Sequence, residues 1–145
     1  MSSFLGDLMA GLAQFLEDQG VGSFNSTGAA YASNAPSIYF DVVPASPDRV
    51  IVLTPYGASD DPSLSETEVA VQVRVRGTKD PRTAYELDDK AFEAFQNVPR
   101  TVMGGVTVVG LWRTSSAYMG VDANGRHERT SNYAVRVHRP SPHRI

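Results

Sequence analysis

The chain has no cysteine among its 145 residues, which excludes a disulfide framework, a thiolate metal site and a cysteine nucleophile. Long apolar runs are missing as well. The most hydrophobic stretch near the start, Phe4 to Leu16, is interrupted by Asp7 and Gln14 and is too short to span a bilayer, so no membrane partner is expected. No Lys or Arg precedes it and no small-residue cleavage pattern follows an unbroken apolar core, which argues against a secretory signal. Without one, the sequon Asn25-Ser26-Thr27 reads as coincidence. A net charge of −3 leaves no basic field to condense on phosphate, and a dedicated nucleic-acid binder is not expected.

Catalytic patterns are equally scarce. There is no Gly-x-Ser-x-Gly elbow, no phosphate loop, no dinucleotide glycine pattern and no His-Glu-x-x-His pair. His127, His138 and His143 lack ligand spacing and read as surface residues. Asp60 and Asp61 stand together in a turn-rich segment with no histidine nearby in sequence, and read as a solvated turn. Asp122 to Gly125 lacks the closing Glu of a calcium loop and reads as a hairpin turn.

What is present is clear alternation and clear helical period. A hydrophobic fraction of 41% and a charged fraction of 20% suit one globular domain. Phe4, Leu5, Leu8, Met9, Leu12, Phe15 and Leu16 recur at helical spacing, with Ser2 or Ser3 as cap, although Gly6 and Gly11 weaken the helix. Gly22 to Pro36 reads as a long loop. Ile38 to Val43 and Arg49 to Leu53 are strand candidates and pair naturally as a hairpin, with Tyr56 to Ser65 as a surface loop. In the next strand Val69, Val71, Val73 and Val75 alternate with Glu68, Gln72, Arg74 and Arg76.

Asp80 is then placed to cap a helix with Pro81 in its first turn. Ala84, Leu87, Ala91, Phe95 and Val98 form one face of that helix, and Pro99 stops it. Val102 to Arg113 reads as a strand containing Gly104, Gly105 and Gly110, with Trp112 as an anchor. Ser115 to Val121 stays extended, and His127 to His138 returns. Segment 139–145 reads as a frayed basic tail.

Two features bear on partners. Tyr85 and Phe92 lie beside the Ala84–Phe95 face and widen its apolar arc, which fits either deep burial or a second contact surface. Arg74 and Arg76, on the polar side of their strand, fit either solvated charges or contacts to a partner's carboxylates or phosphate. The residues alone imply an α+β domain and leave these alternatives open.

The order of elements carries a resemblance. The leading amphipathic helix, the Glu68–Gly77 strand, the Asp80-Pro81 turn, the Ala84–Phe92 helix and the closing hairpin Gly120–Val137 together resemble tail terminator proteins of long-tailed bacteriophages, often called minor capsid proteins. The resemblance implies a single α+β domain, a mixed, mainly antiparallel sheet packed by two amphipathic helices. It implies a structural virion protein with no catalysis and no cofactor. Such a protein forms a ring, usually of six subunits, that caps the tail tube, ends its polymerisation and meets the head connector or stopper, with DNA passing through the lumen. On that basis Tyr85, Phe92, Arg74 and Arg76 are the expected subunit-interface residues. The alternative is a head-to-tail connector touching the DNA end through the basic tail.

Overall fold

The structure, a computed structural model, describes residues 2–24 and 36–144. The elements in chain order are α1 (Phe4–Asp18), β1 (Ser37–Phe40), β2 (Val50–Asp60), β3 (Glu66–Arg76), α2 (Pro81–Phe95), β4 (Thr101–Met103), β5 (Val106–Val121) and β6 (His127–His138). The strands form one six-stranded sheet in the order β1-β2-β3-β6-β5-β4. Its neighbours are antiparallel apart from β1 and β2, which are parallel. The fold is therefore α+β with a mixed, mainly antiparallel sheet and two helices, as the sequence led us to expect.

β3 lies near the middle of the sheet because its alternation lets one side be buried completely. Val69, Val71, Val73 and Val75 are each no more than 2% exposed. They share a hydrophobic cluster with Leu8, Leu12 and Leu16 of α1 and Leu87, Ala91 and Phe95 of α2, so both helices cover the same side of the sheet. Phe15 and Phe95 stack where the two helices meet, with ring centroids 6.2 Å apart.

Local chemistry sets the helix ends. The Ser3 hydroxyl accepts from Gly6 N at 3.0 Å, and the Asp80 carboxylate accepts from Arg82 N at 3.0 Å. Both bonds satisfy N–H groups that have no partner within the helix. α2 stops at Phe95, before Pro99 is reached. Asn97 takes a left-handed conformation (φ 58°) and donates its N–H to Leu111 O of β5 at 2.9 Å, so a contact with the sheet ends the helix. Gly11, a weak residue for a helix, has a packing reason: any side chain there would run into the backbone of Met103 and Gly104.

The structure corrects several strand expectations. β1 and β2 do not form a hairpin. Ser37 to Phe40 pair in parallel with Val50 to Leu53, and the chain crosses back through residues 41–49. β2 continues past Pro55 to Asp60 by way of a bulge at Pro55/Gly57, which reduces the expected loop to residues 61–65. The Val102–Arg113 strand is two strands, β4 and β5, separated by a turn at Gly104-Gly105. Most of the expected Gly22–Pro36 loop, with the Asn25 sequon, lies outside the described residues.

Candidate assembly surface

α2 meets the sheet through a charged cluster at the base of its outer arc. Asp88 is 4% exposed, since its position one turn after Ala84 turns it inward. Its carboxylate accepts from Ser131 Oγ at 2.6 Å and from Ser116 Oγ at 3.3 Å. Arg129 Nε stands 3.5 Å from it and Arg113 Nη1 3.9 Å. The register explains the meeting: Ser131 and Arg129 alternate along β6, while Ser116 is opposite Ser131 and Arg113 opposite Tyr133. A buried carboxylate flanked by two guanidiniums and two hydroxyls is compensated, which is what allows it below the surface.

Tyr85 and Phe92 are the outer half of the same arrangement. The Arg113 guanidinium lies 4.1 Å from the Phe92 ring centroid and that of Arg129 lies 5.7 Å from Tyr85. Phe92 is half-buried and Tyr85 is 49% exposed. The wide arc of α2 is therefore not deeply buried throughout: its inner edge packs on arginines of the sheet, and its outer edge faces solvent. Beside it, Tyr118, Met119 and Val121 of β5 are each more than half exposed, and the Tyr118 hydroxyl is 3.1 Å from His127 Nδ1. Tyrosine, methionine and arginine on one flank make up the composition enriched in protein interfaces.

Arg74 and Arg76 have separate partners on the side of the sheet away from the helices. Arg74 makes a two-point bond to Glu128, Nε to Oε1 at 2.9 Å and Nη2 to Oε2 at 3.0 Å, and its side chain remains 38% exposed. Arg76 is 3% exposed. It donates to Pro44 O at 2.7 Å, Pro47 O at 2.6 Å and Asp48 O at 2.9 Å. Arg126 continues the clamp, donating to Ala45 O at 2.8 Å and to Asp122 Oδ2 at 2.8 Å. Burial, with Arg126 alongside, lowers the Arg76 pKa from its usual value. The two arginines fasten the crossover 41–49 to the sheet, and Val50 and Val52 are buried on the side it crosses.

The segment expected to fray is anchored at Arg144, which donates to Leu64 O at 2.7 Å, Glu66 O at 2.6 Å and Arg139 O at 3.1 Å. Asp61 caps the preceding turn, and bonds from Ser63 and Leu64 hold its carboxyl below the usual carboxylate range. Among the described residues no group of three or more His, Asp or Glu side chains could hold a metal ion.

Residues 15–139 match the family model of the bacteriophage tail terminator protein. The chain belongs to that family. It is thus a structural, tail-associated component of a phage virion, made in the host cell. A chain from the virion of a native gene transfer agent particle has the same fold, with a TM-score of 0.62 at 17% identity, covering 94% of this chain and 99% of that one. No curated protein sequence matches.

Sequence reasoning placed Tyr85 and Phe92 but missed Asp88, Arg113 and Arg129. A signal for Asp88 was available: it follows Ala84 and precedes Ala91 and Phe95 at the spacing of the buried face, where an acid requires partners. Arg129 was also marked, since it falls in step with Tyr133, Val135 and Val137 on the side of β6 that faces the helices; Arg113 was not, because the bulge at Val108/Gly110 resets the side on which it falls.

Proposed function

We propose that the chain assembles into a ring, of six copies, that caps the tail tube, ends its polymerisation and offers the head connector its outer surface, with DNA passing through the lumen. The observation that supports a ring best is the exposed apolar flank of Tyr85, Phe92 and the end of β5, braced from below by the Asp88 cluster. A ring contact is heterologous, so each subunit presents this flank to a different patch of its neighbour. Arg74 adds an exposed charge on the other side of the sheet, and Arg76 acts from inside by fixing the crossover behind it. The connector reading is weakened by the bonds that occupy Arg144, since a guanidinium spent on carbonyls is poorly placed for phosphate.

The test is Tyr85→Glu and Phe92→Glu. Both variants are expected to remain folded by circular dichroism, and electron micrographs are expected to show tails without a terminal ring and of irregular length. Unfolding of Phe92→Glu alongside intact rings in Tyr85→Glu would mean that the arc belongs to the core. Tails of normal length in particles lacking the chain would sink the capping role itself.

A further inference from the structure

Both margins of the sheet leave a long strand uncovered, at opposite ends. On one side β1 reaches only as far as Leu53, so β2 from Thr54 to Asp60 has no outer neighbour among the described residues. On the other side β4 covers only Val106 to Val108. Asn97 N–H meets Leu111 O, and the Gln96 side chain accepts from Arg113 N at 2.9 Å, which leaves β5 from Thr114 to Val121 open. Open strand edges are rows of unpaired N–H and C=O groups that template another strand.

We propose that the open length of β5 pairs with the open length of β2 in a second copy of this chain, and that this pairing is the backbone of the ring contact. The inference rests on the ring reading above and gives that contact a partner surface. The two lengths are compatible in charge: the open length of β2 carries the single acid Asp60 and no base, and the open length of β5 carries no acid to oppose it. They also supply exposed apolar groups to each other, Tyr56 from one copy and Tyr118 and Met119 from the next.

Direction and stagger agree as well. β2 and β6 run antiparallel to β3, and β5 runs antiparallel to β6, so β2 and β5 of one copy point in opposite senses. Rotation about a ring axis preserves strand sense, so β5 meets the neighbour's β2 antiparallel, the more stable arrangement. Ser59 is opposite Glu68 on β3, while Ser115 is opposite Asn132 and through it Gln72, and Ala117 is opposite Thr130 and through it Arg74. The open lengths are therefore four to six residues out of step. At about 3.3 Å per residue along strands and about 4.8 Å between them, that offset across the four strands from β2 to β5 inclines the strands by about 35–46° to the ring axis. Sheets that close on themselves tilt by about 35–45°.

The absence of cysteine makes the test clean. Ser59, Ser115 and Ala117 are exposed and face the side of the sheet away from the helices. Within one chain Ser59 is three strand spacings across the sheet and four to six residues along it from either partner, about 20–25 Å away and beyond the reach of a disulfide. Ser59→Cys is combined with Ser115→Cys or with Ala117→Cys, and tails assembled with each variant are oxidised and run on a denaturing gel, with electron microscopy of the same tails. The expected result is a ladder of linked chains from at least one pair, absent from each single variant. Rings in the micrographs with no ladder from either pair would overturn the edge pairing and leave the ring reading standing. Tail ends without rings would overturn the ring reading and this inference with it.

Discussion

Tyr133 gives the sharpest test of the core. It is 1% exposed on β6, its ring edge packs on Phe95 at 5.4 Å and 72°, and its hydroxyl has no hydrogen-bond partner. A buried polar group without a partner costs about 1–3 kcal/mol relative to an apolar one of the same shape. Tyr133→Phe removes the hydroxyl and keeps the ring contact. The low end of that range applies, since the Arg113 guanidinium interacts with the hydroxyl without making a well-formed hydrogen bond, so a gain of about 1 kcal/mol is expected. For a domain of this size that raises the unfolding midpoint by about 2–4 °C.

A second arm follows from titration. Burial, reinforced by the Asp88 carboxylate, pushes the Tyr133 phenol well above its usual value. The folded state then keeps its proton where the unfolded chain has lost it. That contribution to stability is complete below the unfolded pKa of about 10 and declines as pH rises from there toward the folded value. Urea unfolding of the two proteins at neutral pH and between pH 9 and about 11.5 measures both arms, with a shallower alkaline decline expected for Tyr133→Phe. A loss of about 1 kcal/mol or more at neutral pH would show that the hydroxyl is bonded in the core and that its removal relieves nothing.

Gly11→Ala gains about 1 kcal/mol of helix propensity but drives a methyl into the backbone of Met103 and Gly104, and a net loss of about 2 kcal/mol in urea unfolding is expected; a stabilised variant would mean that α1 can shift at no cost. Asp88→Ala leaves Arg113 and Arg129 without their shared carboxylate, and a loss of about 3 kcal/mol is expected. Because both arginines retain some access to water, a change below about 0.5 kcal/mol would show that they rearrange freely and that the cluster does not brace α2.

Much of this architecture was legible because the residues concerned obey one local rule each. β3 alternates with a single buried side, α2 carries its own cap at Asp80, and the limits of β6 coincide with the run from His127 to His138. β1 and β2 were misread because alternation does not encode whether neighbours run parallel. Val50 to Leu53 is buried on both sides, one by the helices and the other by the crossover, so its strand carried no face at all. Arg76 looked like a solvent charge for the same reason: it sits where a polar residue should, and only the crossover laid over it makes it internal. The register shifts along β5 hid Arg113 and Tyr118, since each bulge re-aims the side chains that follow.

The contact between Gly11 and the Met103-Gly104 turn also constrains the order in which the fold can be completed. Gly104 lies 93 positions after Gly11, so α1 is synthesised long before the turn that receives it. Contacts of such sequence separation form late, because most of the chain's freedom must already be lost before they are rewarded. Until β4 and β5 have joined the sheet, Leu8, Leu12 and Leu16 have only part of the surface that buries them, and an amphipathic helix waits with its apolar side uncovered. Nascent chains halted before residue 103 should therefore be the aggregation-prone form of this protein, and the helix that leads the sequence is among the last parts of the subunit to be secured.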